Sequence, residues 1–227
     1  IKIFDNCITR NIELGLGKKI AIHCISKNKE IKSYTYEELN KRVNSFSSIL
    51  ISQLKNKNVS SRKVMIHASA SLESSISMLS CIKLGIHFSV IFEDLAPEAI
   101  SKRISLFKPD IFLSSFTKKI FKKNIFKKIK LTKKIKFLFF EELKYLDNKK
   151  NINIKSKVIN GSKEMFTLFT SGSTGVPKGI THASAGYMVY TKYTCQHQFG
   201  MNSNSIILTA SDAGWLNGHT YALFGPL

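Results

Sequence analysis

Cysteine is scarce in this chain of 227 residues. Cys7, Cys24, Cys81 and Cys195 stand far apart, without the paired spacing of a structural zinc site. That pattern predicts a reducing, cytoplasmic setting. No apolar run approaches the roughly 18 residues that a bilayer-spanning helix needs, and the opening residues show no secretory signal pattern. Arginine is also rare. Only Arg10, Arg42, Arg62 and Arg103 occur, so 35 basic residues less 4 arginines leaves 31 lysines, set against 15 acidic residues for a formal charge of +20. Such a charge is the usual footprint of nucleic-acid binding. Lysine that rises together with isoleucine, asparagine and phenylalanine instead reflects the bias of an AT-rich coding sequence. Neither nucleic acid nor membrane is therefore expected as a partner.

The length suits one large domain with a sizeable core, or two small ones. Short apolar stretches at 20–25, 63–68, 87–92, 110–114, 135–140, 165–170 and 205–209 read as strands. Between them, 35–54 and 72–84 carry amphipathic spacing, with Leu39, Val43, Phe46 and Leu50 on one face. Pro97-Glu98-Ala99 marks a helix start, because proline fits the first turn. This alternation predicts an α/β fold with parallel strands and packed helices. The polar stretch 144–163, interrupted by Gly161, reads as an exposed connection. From 118 to 136 lysine recurs ten times, while Phe121, Ile125, Phe126 and Ile129 are spaced for one helical face. No internal repeat is visible.

One segment is built for a polyanion. Residues 170–179 read Thr-Ser-Gly-Ser-Thr-Gly-Val-Pro-Lys-Gly and follow the apolar run 165–169, where a strand gives way to a loop. Glycine lets backbone approach a ligand closely. Amide hydrogens and the hydroxyls of Ser171, Ser173 and Thr174 can donate to phosphate oxygens, and Lys178 adds a positive point charge. The Walker A pattern does not fit: counting from Gly172, its second glycine falls on Pro177, and Lys178 precedes Gly179 rather than a hydroxyl residue. A nucleoside triphosphate held in another kind of loop is the expectation.

The decapeptide resembles the phosphate-binding signature of the adenylate-forming superfamily, which includes acyl-CoA synthetases, luciferases and peptide-synthetase adenylation domains. Residues 181–187, Thr-His-Ala-Ser-Ala-Gly-Tyr, and 210–221, Ala-Ser-Asp-Ala-Gly-Trp-Leu-Asn-Gly-His-Thr-Tyr, are similar to the acetyl- and propionyl-CoA synthetase branch, as are Gly225-Pro226-Leu227. Upstream, Asn6-Cys7, the run 34–39 and Ala96-Pro97-Glu98-Ala99 with Arg103 follow the same order.

The resemblance implies an AMP-forming acid–thiol ligase with ATP, CoA and Mg²⁺ as cofactors and a short carboxylate as substrate. It places residues 1–30 in an N-terminal segment and 31–227 in a partial AMP-binding core. Since Ile1 opens the chain and Leu227 closes a motif that runs on in the family, a fragment without the C-terminal domain is expected, inactive alone. Lys178 and Thr174 take catalytic roles. Thr170, Ser171, Gly172, Ser173, Thr174, Gly175, Lys178 and Gly179 surround the ATP phosphates. Trp215, Leu216 and Asn217 line the acyl pocket; no metal ligand is assigned. Leu216 and Asn217 depart from the valine and threonine or valine usual for small acids. Asn217 then either favours a polar short acid or faces CoA. His219 is expected to pack against Trp215 and support its loop rather than act as a base, with His182 and His197 structural or exposed. For the lysines at 118–136 the readings are a solvated face over a buried stripe, contact of Lys118, Lys119, Lys122 or Lys123 with a CoA phosphate, and a membrane or nucleic-acid contact. An adenylating ligase with a carrier-protein acceptor stays open, as does a basic binding module.

Overall fold

The central strands of the main sheet are apolar nearly throughout and so must be covered on both faces. In a computed structural model that describes residues 1–26, 28–55, 58–129, 131, 134–142, 152–170 and 176–227, helical turns at Asp5–Thr9 and Ile12–Leu16 precede an antiparallel pair, β1 (Ile20–Ile25) and β2 (Ile31–Thr35). Next come α1 (Tyr36–Gln53), β3 (Lys63–His67), α2 (Leu72–Leu84), β4 (His87–Ile91), α3 (Pro97–Phe107), β5 (Ile111–Ser114) and α4 (Lys118–Phe121), which runs on helically to Phe126. Then follow β6 (Lys136–Phe139), β7 (Glu164–Thr170), β8 (Lys178–Ala183), α5 (Ser184–Tyr193) and α6 (Leu216–His219). The main sheet has the order β6-β5-β3-β4-β7-β8. All neighbours are parallel except β8, which returns antiparallel to β7.

Alternation along the strands divides the core. Val64 and Ile66, Phe88 and Val90, Ile111 and Leu113, and Phe166 and Leu168 join one cluster with Leu39, Val43, Phe46 and Leu50 of α1 and Leu79 of α2. Met65, Ile91, Phe112, Phe139 and Phe169 point the other way, onto Ile100, Ile104 and Phe107 of α3 and onto Phe121 and Ile125. Burying a side chain of this size contributes about 1.5–3 kcal/mol. The helix ends match local chemistry. Thr35 accepts from the Glu38 amide and Glu38 accepts from the Thr35 amide, a capping box at α1; Ser71 and Ser74 make another at α2.

The strand readings hold to within a residue or two from 20 to 170, and the fold is the expected α/β. Three features differ. First, β1 pairs only with β2, whose five residues directly precede α1, so Thr35 is the cap rather than the first helical residue. Second, 205–209 is not a strand: Ile206 and Leu208 are 84% and 78% exposed, and no described strand offers the partner that an extended backbone needs. Third, half of the supposed connection is fastened. Residues 143–151 lie outside the described residues, but Ile159 exchanges hydrogen bonds with Ile1, Lys157 N–H donates to Lys83, and Ile154 N–H donates to Asn44 Oδ1. The described lysines of the 118–136 stretch form a solvated face, Lys130 and Lys133 lying outside the described residues: Phe121, Ile125 and Ile129 are buried, while Phe126 is half-exposed on Phe137.

Gly85 ends α2 with φ +66°, and Ile86 N–H bonds back to Cys81 O at 2.8 Å. A Cβ there would stand 2.8 Å from Ile159 Cγ2. Gly85→Ala is expected to lower unfolding free energy by about 1–3 kcal/mol, read as an earlier urea midpoint at unchanged m-value. An unshifted midpoint would show that the helix end relaxes freely.

Candidate active site

Strand β7 carries the phosphate signature to the carboxyl edge of the sheet, where open α/β sheets bind their ligands. Thr170, its last residue, is in register with Lys178, the first of β8, and Thr170 Oγ1 lies 3.5 Å from Lys178 O. The signature therefore joins two adjacent antiparallel strands. The returning strand was not anticipated from the sequence. Gly179 sits opposite Phe169 because a Cβ would come within 3.0 Å of Thr167 Cγ2 and 3.2 Å of Phe169 Cε1. Lys178 is exposed. Ser171, Gly172, Ser173, Thr174 and Gly175 lie outside the described residues.

A second element reaches the same edge. Phe88 pairs with Phe166 across β4 and β7, and Phe92 directly follows β4, the strand beside the one that Thr170 ends. Phe92 packs on Trp215 with ring centroids 5.2 Å apart. Trp215, Leu216 and Asn217 share one cavity of about 440 Å³ with Ala210, Ser211 and Asp212. The structure thus unites the three expected pocket residues and sets them one strand from the phosphate signature. Trp215 is 56% exposed and forms an open wall.

Local hydrogen bonds shape this turn. Asp212 Oδ1 accepts from Gly214 N–H at 2.7 Å and Asp212 O accepts from Trp215 N–H at 3.1 Å. A side chain at Gly218 would collide with the Asp212 carbonyl, and one at Gly214 would reach 2.7 Å from Phe92 Cε1. Close approach, rather than flexibility, requires both glycines.

His219 supports the turn by a different contact from the one expected. Its Nε2 donates to Ala213 O at 2.8 Å, while its ring packs on Phe88 and Phe166, at 5.7 and 4.7 Å between centroids. Trp215 packs on Phe92 instead, which lies nearer the cavity mouth. Burial pushes the His219 imidazole down to about 3, so it stays neutral at physiological pH. His182 stacks on Phe166 and His197 on Tyr193.

Sequence reasoning passed over Phe92 and His67. A lone phenylalanine after a strand carries no signal of facing a tryptophan far along the chain. His67 ends β3 fully buried, with Nδ1 3.0 Å from Ser114 Oγ; burial lowers it to about 4 despite the pull of Glu93 and Asp94. Arg103, noted in sequence for its motif, holds its guanidinium 5.8 Å from the Phe169 ring and donates to Ala99 O. Among the described residues no three His, Cys, Asp or Glu side chains converge as metal ligands, and no helix is long and apolar enough to cross a membrane.

A family model described as AMP-binding enzyme matches residues 15–227, and the chain belongs to that family. The chloroplastic/glyoxysomal acetyl-coenzyme A synthetase of Arabidopsis thaliana is 30% identical, across 98% of this chain and 34% of its own length. The acetyl-coenzyme A synthetase of Helicobacter acinonychis (strain Sheeba) is 28% identical, across 100% of this chain and 37% of its own length. The chain spans about a third of the length of these curated relatives. A solved acyl-CoA synthetase of Brucella canis shares the fold, with a TM-score of 0.80 at 17% identity over 100% of this chain and 41% of that one.

Three buried imidazoles make acid stability a test of this arrangement. His67 and His87 are held near 4 and His219 near 3, chiefly by burial, against 6.5 for an exposed ring. Each folded value lies below the unfolded one, so the unfolded chain binds protons first as pH falls. Stability is full above about pH 6.5 and drains between there and about 4 for His67 and His87, and about 3 for His219. The urea midpoint is expected to fall from pH 7 to pH 5. His219→Phe, which keeps the ring but cannot take a proton, is expected to flatten that slope. An unchanged slope in the variant would place the proton uptake elsewhere.

Proposed function

We propose that the protein carrying this chain activates a short-chain carboxylate with ATP, giving an acyl-adenylate and then an acyl-CoA. One observation carries the reading: the phosphate signature, at the junction of β7 and β8, stands one strand away from the cavity of Trp215, Leu216 and Asn217. A carboxylate oxygen held in that cavity attacks the α-phosphorus of ATP. The bond to the bridging oxygen breaks and pyrophosphate leaves. The thiolate of CoA then attacks the acyl carbon and AMP departs.

Within this reading Lys178, with the hydroxyls of Ser171, Ser173 and Thr174, donates to phosphate oxygens as negative charge accumulates on them. The glycines 172, 175 and 179 let backbone come close. Mg²⁺ would arrive with the nucleotide, and the hydroxyls of Ser171, Ser173 and Thr174 are the oxygens of the signature that would help hold it beside the phosphates. Its charge would offset that of the phosphates. Residues 31–227 are assigned to the AMP-binding core and 1–30 to a preceding segment, in a cytoplasmic protein.

A second reading of the acid has its own support. Ser211, Asp212 and Asn217 give the cavity a polar wall beside Leu216; Asn217 is exposed at its rim rather than buried, and these side chains can hydrogen-bond the hydroxyl of a hydroxylated short acid, which acetate lacks. Pyrophosphate release from ATP by the protein that carries this chain, across acetate, propionate, lactate and 3-hydroxypropionate, distinguishes the two. Lys178→Ala is expected to slow adenylation about a hundredfold and thioester formation far less. Equal slowing of both steps would remove Lys178 from the phosphate role.

A further inference from the structure

At the opposite edge of the sheet, the amino ends of three neighbouring parallel strands enclose a second polar cavity of about 340 Å³. Lys63 begins β3, His87 begins β4 in register with it, and Glu164 begins β7. Ser60, Ser61, Ser162 and Lys163, from the turns before β3 and β7, complete the lining. The seven residues of β7 put roughly 20 Å between this cavity and Thr170.

Its charge is unbalanced. The Lys63 ammonium rests 5.3 Å from the Phe107 ring, and Lys163 Nζ donates to Ser60 O at 2.6 Å, so both cations are held at the cavity. Lys157 stands near enough to Lys163 to disfavour its charged form, after burial. The one carboxylate lining the cavity, Glu164, is 62% exposed in its side chain and so is screened by water. His87, only 6% exposed, places Nε2 2.8 Å from Thr167 Oγ1, while its Nδ1 lies 3.0 Å from Glu164 Oε2 but out of line for a hydrogen bond. A buried imidazole nitrogen, two fixed ammonium groups and the Ser60 hydroxyl thus meet in one recess, beside Ser61 and Ser162, whose hydroxyls donate to Asn58 O and Asn160 Oδ1. Such a set suits a ligand with several acceptor oxygens and negative charge.

We propose that this cavity binds a phosphate-class oxyanion at a site separate from the nucleotide signature. Lys63 and Lys163 supply the charge, Ser60 the neutral donor, Ser61 and Ser162 the polar rim, and His87 the floor.

The test is a titration of the ¹⁵N-labelled chain with orthophosphate and, separately, pyrophosphate, at ionic strength held constant with sodium chloride. Saturable shifts are expected at the amides of 60–63, 87 and 162–164. They should persist in Lys178→Ala and weaken about tenfold in affinity in Lys63→Gln or Lys163→Met, changes that keep most of the stem and lose the charge. A response to one anion alone would name the ligand. Shifts that grow linearly with anion, that chloride reproduces, or that appear only around 170 and 178 would overturn the site, and the unsubstituted chain suffices to show any of these.

Discussion

The contact between Phe88 and Phe166 joins the sheet to the site. Their rings lie 5.6 Å apart where β4 and β7 pair, both fully buried. Large aromatics at a strand contact contribute burial and a preferred ring geometry together. Here they also set register, and register has consequences at a distance. Because Phe88 pairs with Phe166, β4 runs beside β7 and delivers Phe92, the residue after its end, to the carboxyl edge that Thr170 also reaches. Because both rings are buried under α6, His219 has an aromatic bed on which to sit, and its Nε2 reaches Ala213 O. A one-residue slip would turn Phe92 to the other face of the sheet and leave Trp215 without its partner.

The cavity turn is rigid for reasons that glycine and histidine share. Gly218 lets the Asp212 carbonyl come closer than any side chain would permit. His219, next in sequence, bonds the following carbonyl from below. Asp212 closes the turn by accepting from Gly214 and Trp215. Each bond is modest alone, about 0.5–1.5 kcal/mol net. Their common effect is geometric: Trp215 stands away from the core, over Phe92, instead of collapsing into it. An aromatic side chain 56% exposed at a cavity mouth is costly to hold, and this network holds it.

Much of the fold was legible because strand and helix periods are local properties. The parallel order follows from alternation of strands and helices, two helices from their amphipathic spacing and a third from Pro97, while the caps Thr35 and Ser71 emerge from the structure. Pairing was less legible. Strand β8 is short of large residues, reading Lys-Gly-Ile-Thr-His-Ala, and owes its form to β7 beside it rather than to its own composition. The stretch 205–209 is the converse case, with a strand's alternation and no strand beside it. For the site, the motif residues stood out, whereas Phe92 and His67 did not. Their surroundings come from β4 meeting the turn at 215 and from β3 meeting β5, contacts between residues far apart in sequence.

Charge shows the same dependence on place. The lysines of 118–128 share the composition of the whole chain, and being exposed they are screened by solvent within about 10 Å at ordinary salt. Lys63 and Lys163 are only half-buried, yet one rests over an aromatic ring and the other is bonded to a carbonyl. Fixing a charge removes the freedom by which an exposed lysine relieves repulsion. Burial chiefly accounts for the low proton affinity of His87, with Lys63 and Lys163 adding to it against the attraction of Glu164. A net charge of +20 therefore says little about partners. Two ammonium groups held at the amino edge of the sheet, facing a buried imidazole, say more, because there the fold gathers two cations partly out of water around one recess.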